Sequence, residues 1–144
     1  MMIDLENLLR NIELPPPARF SLMDGFDRLI RQISREVGEI ANVLVFAPPH
    51  LATAWAEDFY PFGFFTILCP RITNKAGEEE DTTDRTLMEF GRKMIRQHNI
   101  THLCLASGDK DFSPFLREVI RKGLKIVIVA GNLISLSNEL INLA

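Results

Sequence analysis

Cysteine is scarce in this chain. Cys69 and Cys104 are the only two among 144 residues, and each stands in an apolar string, TILCP and HLCLA. Two thiols so far apart exclude a disulfide scaffold or a zinc knuckle and read as buried, reduced side chains. His98 and His102 have an H-x3-H spacing, which binds zinc only when both lie on one helix. Asn99 interrupts, and His102 opens an apolar strand-like run, which argues against a zinc site. Long apolar runs are also missing. None approaches the roughly 20 residues that span a bilayer, so no membrane association is expected. The opening MMIDLENLL carries acids where a signal peptide carries Lys or Arg, so the expected location is cytoplasmic. A strong charge of one sign is lacking too. The formal net charge is −3, so any nucleic-acid binding has to use local patches. Internal repeats and low-complexity tracts are absent.

What is present is a core. Apolar residues make up 47% of the chain and charged residues 24%, enough apolar surface for one full hydrophobic domain and too much for disorder. Four runs have the length and the β-branched or aromatic content of strands: residues 42–47 (NVLVFA), 64–68 (FFTIL), 102–106 (HLCLA) and 125–130 (KIVIVA). They are continuous rather than alternating, as strands covered on both faces are. MMID (1–4) is a fifth, shorter strand.

Helical patterns lie between them. Leu22, Phe26, Leu29, Ile30, Ile33 and Val37 recur at helical spacing, and Ser21 with Asp24 resembles a capping box that starts this helix. Leu51 to Asp58 suits a short helix. Leu87, Phe90, Met94 and Ile95 mark another stripe. Ser113 followed by Pro114 reads as an N-cap and first helical residue, Gly123 as the stop before the next strand, and Leu136 to Leu143 as a last short helix. The alternation of strands and helices predicts an α/β fold, a three-layer α/β/α Rossmann-like domain with a mostly parallel five-stranded sheet. In such sheets the functional crevice lies outside the carboxyl ends of the strands, where strand order reverses.

Acidic residues stand at those ends. Asp4 ends the first strand. Asp109 and Asp111 follow HLCLA-SG. Asp84 lies at the start of the helix after the third strand. If strands one and four are neighbours, these carboxylates converge. Two like charges 4 Å apart cost about 4 kcal/mol at an effective dielectric of about 20, which a fold tolerates only with protons or a cation. Oxygen ligands with no His or Cys nearby point to Mg²⁺ or Mn²⁺. Ser107 and Gly108 keep the turn thin, so a phosphate or a metal-bound water can approach the backbone. In the acidic run GEEEDTTD (77–84), Glu78, Glu79 and Glu80 read as a mobile solvated loop. Asp81 is either an N-cap or an outer-sphere ligand.

The stretch SGDKDFSPFLREVIRKGLKIVIVAG closely resembles the SGDxDF motif region of NYN domains, a LabA-like branch of the PIN-like nucleases. MIDLENLL is similar to that family's first-strand motif, with Asp4 and Asn7 in its Asp and Asn positions. TDRTLMEFGRKMI resembles the third acidic element and places Asp84, and SLSNELINLA is similar to the Ser-rich C-terminal helix. The resemblance covers nearly all of 1–144, taken as a single NYN/PIN-like domain. The first strand is short and the chain stops where relatives continue into another strand, which suits either a domain cropped at both ends or a trimmed family member. MDGFDRL (23–29) is a competing first-strand motif, set aside because Asp24 sits in a helix stripe.

The resemblance implies a metal-dependent ribonuclease acting on RNA, with one or two Mg²⁺ or Mn²⁺ ions and water as the attacking group. It assigns Asp4 and Asp109 as direct ligands, with Asp84 and Asp111 completing the site or orienting the water. Asn7 and Ser107 would position the phosphate or a ligand carboxylate. Arg85, Arg92, Lys93 and Arg96, with Arg117, Arg121 and Lys122, are candidates to grip RNA, Arg85 and Arg117 foremost. Phe112 reads as a core anchor locking the turn, and Trp55, Phe59 and Tyr60 as packing against the sheet edge. A homodimer, or further domains of a longer chain, is compatible with this reading. The competing reading is a catalytically silent RNA-binding or regulatory module of the same fold. A phospho-receiver domain is disfavoured, because Cys69-Pro70-Arg71 stands where its acceptor Asp would be.

Overall fold

A computed structural model of the chain describes residues 1–10, 18–131 and 138–143. The main sheet has five strands: β1 (Met2–Asp4), β2 (Leu44–Ala47), β3 (Phe65–Leu68), β6 (His102–Ala106) and β7 (Lys125–Val129). Their order across the sheet is β3-β2-β1-β6-β7, and every pairing is parallel. The helices are α1 (Leu5–Arg10), α2 (Ala18–Glu36), α3 (Pro49–Phe59), α4 (Thr83–Gln97), α5 (Ser113–Arg121) and α6 (Asn138–Leu143). Parallel neighbours need crossovers, and the helices supply them. The first strand and the fourth strand of this sheet are indeed neighbours, with Met2 beside Leu105 and Ile3 beside Ala106.

Strand side chains alternate between the two faces, and the buried residues sort into two clusters accordingly. On one face Ile3, Val45, Ala47 and Ala106 pack with Phe26 of α2 and Trp55 and Phe59 of α3. On the other, Met2, Phe46, Leu103 and Leu105 pack with Leu87 of α4, Phe115, Leu116 and Val119 of α5, and Leu140 of α6. Three layers result. Gly91 lets α4 approach α5 closely: a Cβ there would lie 2.5 Å from the Phe115 ring tip, Cζ. Gly123 ends the α5 turn with φ at +89°, a left-handed conformation that glycine adopts without strain.

Four expectations need correction. Tyr60, expected to pack against the sheet edge with Trp55 and Phe59, is 84% exposed while those two are buried. The acidic run was expected to be a mobile solvated loop. Instead Glu79–Asp81 forms a strand, β5, paired antiparallel with β4 (Arg71–Thr73) in a small separate hairpin. Asn74 closes its turn, accepting through Oδ1 from the N–H groups of Ala76 and Glu78. Ser21 and Asp24 do not start the second helix. It is already running at Ala18, and Asp24 pairs instead with Arg28 one turn on, at 3.1 Å. Ser113 is not a cap either. A 3-10 turn over Lys110–Phe112 brings the chain into helical conformation before it, so Ser113 is the first residue of α5 and its buried hydroxyl has no hydrogen-bond partner among the described residues. Of the last predicted helix, Asn138–Leu143 is observed, and 136–137 lie outside the described residues.

Candidate metal centre

Strand order reverses between β1 and β6, so the chain after each strand diverges to opposite sides and leaves a crevice at their carboxyl ends. A cleft of about 160 Å³ opens there, its lining drawn from four separate segments: Asp4, Glu6, Asn7 and Arg10; Asp81; Thr83 and Asp84; and Asp109. A larger cavity of about 220 Å³ lies at the other end of the strands, beside Asn42 and His102, away from these acids.

Each acid reaches the cleft through local structure that holds it. Asp4 is the last residue of β1 and is only 4% exposed. Its Oδ1 accepts from the Asn7 N–H at 3.4 Å, and its Oδ2 accepts from the Ser107 hydroxyl at 3.1 Å. Ser107 is fully buried and also accepts from the Asp109 N–H at 3.2 Å. The side-chain carbonyl of Asn7 takes the Gly108 N–H at 3.0 Å. Ser107 and Asn7 thus tie the end of β1 to the turn after β6. Asp109 Oδ1 accepts from the Asp111 N–H at 2.9 Å, capping the 3-10 turn and fixing both carboxylates on one bend. Phe112, fully buried, anchors that bend in the core. Asp84 lies in the first turn of α4, where unpaired backbone N–H groups favour negative charge. Asp81 Oδ1 accepts from the Thr83 N–H at 2.9 Å, and the Thr82 hydroxyl bonds the Pro70 carbonyl at 2.6 Å, so the β4–β5 hairpin is pinned to the start of α4.

The result is a cluster of carboxylates. One oxygen from each of Asp84, Asp109 and Asp111 lies within 4.8 Å of the others. Asp4 stands outside that triad, in the floor of the same cleft. Its pKa is pushed up to about 7, mainly by burial, then by the charge of Asp84 and, more weakly, of Asp109; the bonds from Asn7 and Ser107 oppose this. The Asp84 pKa is raised to about 6 by burial and by the charges of Asp109, Asp111, Asp81 and Glu6. Both shifts come first from burial and second from crowded negative charge, and it is the second part that a cation would relieve. Every donor in the triad is a carboxylate oxygen, a set suited to Mg²⁺ or Mn²⁺ rather than to zinc.

The expected site residues divide. Asp4, Asn7, Asp84 and Asp109 line the cleft, Asp111 joins the triad from its exposed rim, and Ser107 lies directly beneath. Arg85 does not line it and is paired with Glu80 at 3.1 Å. Arg117 is exposed on α5, also outside the lining. Arg92 is held by Glu118 at 3.2 Å and joins α4 to α5. Asp24, the competing first-strand acid, sits on the exposed side of α2. Three lining residues were missed: Thr83, and Glu6 with Arg10, which form an ion pair at 3.0 Å on α1. The i,i+4 spacing of that pair directly after Asp4 is the signal that would have found it.

The family model described as NYN domain matches residues 1–144. No match is found among curated proteins or among solved structures.

Proposed function

We propose, from the premise that this chain belongs to the NYN domain family, that it hydrolyses RNA phosphodiester bonds with the help of Mg²⁺ or Mn²⁺. The observation that carries this reading is the Asp84, Asp109 and Asp111 triad, its oxygens within 4.8 Å of one another over the buried Asp4. We read residues 1–144 as one such domain, of the LabA-like branch, acting in the cytoplasm. No helix among the described residues is long and apolar enough to cross a membrane.

In this reading Asp84, Asp109 and Asp111 hold the ion, with Asp4 completing the site from below. A divalent ion so held supplies charge to the scissile phosphate and makes a bound water more acidic. The protein's own part is positional. Ser107 and Asn7 fix Asp4 and the Gly108 backbone to one another, so the carboxylates meet the ion without reorganising. Arg10, the one cationic side chain in the cleft lining among the described residues, is available to a phosphate oxygen if it releases Glu6. Thr83 is the one hydroxyl side chain in the cleft lining among the described residues, and no His or Lys lines the cleft to activate it, which suits attack by water.

One observation favours the silent RNA-binding alternative: Arg85 and Arg92, two of the expected RNA contacts, are occupied by Glu80 and Glu118. The two readings part in one experiment. Wild type is expected to cleave single-stranded RNA only with Mn²⁺ or Mg²⁺, and Asp109→Asn to lose that activity by at least about 100-fold, the usual cost of deleting a centre's electrostatic partner. Equal inertness of both proteins, with RNA still bound, would establish the silent module instead.

A further inference from the structure

Among the described residues, the cleft lining sets Asp4, Glu6, Asp81, Asp84 and Asp109 against one cation, Arg10. Acids continue past the rim. The β4–β5 hairpin that supplies Asp81 holds four acids and two bases between Arg71 and Asp81, and its Glu78 and Glu79 are exposed. On the bend after β6, exposed Lys110 stands between Asp109 and Asp111. The basic residues of the flanking helices do not extend the cleft. α4 starts there with Thr83 and Asp84. A helix advances 1.5 Å per residue, which puts Lys93 and Arg96 roughly 14 and 18 Å along it from Asp84. Arg85 and Arg92 are held by Glu80 and Glu118, and Glu118 also takes Lys122 at 3.5 Å. On α5, Arg117 lies one turn in and Arg121 at the end, both outside the lining.

Resting on the nuclease reading above, we propose that the cleft selects short RNA, a few nucleotides long, with Arg10 gripping the phosphate beside the scissile bond. Affinity for a long RNA builds up as successive phosphates are neutralised along a basic track. Here a divalent ion takes the scissile phosphate, and Arg10 has the charge for one neighbour. Phosphates further along the strand meet the exposed carboxylates of the hairpin and the bend, so each added nucleotide brings repulsion rather than grip. Arg10 is free to make the exchange. Its partner Glu6, one turn back on α1, holds it in a largely exposed pair, and such surface pairs are worth little.

Length and salt dependence test it, with a uridine trinucleotide and a uridine strand of about 20 nucleotides compared in millimolar Mn²⁺. Per scissile bond, the trinucleotide is expected to be cleaved at least as efficiently as the long strand. The log–log slope of kcat/KM against KCl should stay shallower than about −1, where a track neutralising five phosphates gives about −3.5. Arg10→Gln should raise KM for both lengths by about tenfold with kcat little changed, and Arg10→Lys should recover part of the loss. Glu78→Lys with Glu79→Lys, at exposed positions outside the lining, should tighten the long strand by about tenfold, steepen its slope and leave the trinucleotide as it was. A wild-type preference for the long strand above about tenfold per bond overturns the proposal. So does a steep slope, an unchanged KM in Arg10→Gln, or a charge-reversed hairpin that binds the long strand no better. If no length is cleaved, the nuclease reading falls and binding alone decides the length question. Fluorescence anisotropy in Mn²⁺ should then give the two labelled strands Kd values within about tenfold of each other; a much tighter long strand, or a trinucleotide that does not bind, refutes the proposal.

Discussion

Replacing Asp4 with asparagine removes the most deeply buried carboxylate of the cleft while keeping its size. Asp4 titrates near 7 in the folded protein against an ordinary value of 3.8, chiefly because burial disfavours its charge. That displacement corresponds to about 4 kcal/mol between the two protonation states. The folded-state value is the higher one. The associated stability is therefore fully present below about pH 4 and is lost as pH rises through 7. Above pH 8 without metal, wild type carries the whole penalty and the asparagine variant carries none. Some of that gain is surrendered, because the Ser107 hydroxyl now meets an amide N–H₂ while already accepting from the Asp109 N–H. A net stabilisation of about 2–3 kcal/mol is expected at pH 8, raising Tm by on the order of 5–10 °C. Thermal melts in a chelating buffer, taken from pH 4 to pH 8.5, measure it. The gap between variant and wild type should close toward pH 4. A variant that melts no higher than wild type at pH 8, or a gap that ignores pH, would refute the electrostatic account of this cleft.

Other expectations can be checked on the same footing. Mn²⁺ at about 100 times its dissociation constant should stabilise wild type by roughly 2.7 kcal/mol, and Asp109→Asn should lose most of that gain; melting curves flat in millimolar Mn²⁺ for wild type would count against the centre. Mn²⁺ affinity measured by calorimetry should fall from pH 8 to pH 5.5, because Asp84, near 6, and Asp4, near 7, must shed protons to accept the ion; a pH-independent affinity would contradict this. Gly91→Ala should cost about 1–3 kcal/mol in urea unfolding, since the added Cβ meets the Phe115 ring at 2.5 Å, outweighing the roughly 1 kcal/mol that alanine gains in a helix; a stabilised variant would show that the ring gives way. Phe112→Ala should cost roughly 3–5 kcal/mol as a fully buried ring is lost, and Mn²⁺ binding should weaken with it, because the bend carrying Asp109 and Asp111 loses its anchor.

Much of the fold was legible because burial on both faces leaves a plain mark: NVLVFA, HLCLA and KIVIVA are continuous apolar runs, and each holds an inner strand or its neighbour. The acidic bend was legible for a different reason. SGDKDF is short, so its own bonds, such as Asp109 to the Asp111 N–H, decide its shape. What sequence reasoning missed depends on distant or weak local forces. The β4–β5 hairpin is built from RIT and EED, short and charged, and its pairing follows from Asn74 and Gly77 shaping the turn rather than from any apolar pattern. Ser113 had the composition of a cap, yet Asp109, four residues earlier, had already turned the chain. The grip of Ser107 on Asp4 joins residues 103 positions apart. Only the adjacency of β1 and β6 brings them together, and no local pattern encodes a strand order.

That long bond has a consequence for when the cleft comes into being. A chain emerging from the ribosome carries Asp4 well before Asp84, and β6 and the bend behind it are translated only after residue 101. Until β6 slots beside β1, Asp4 lacks the Ser107 hydroxyl and neither Asp109 nor Asp111 is in place. Loop closure over such a distance is among the slower events of folding. Growing polypeptides and truncated fragments ending before Ser107 therefore have no assembled acidic centre, and any chemistry it performs is confined to molecules whose synthesis has passed that point.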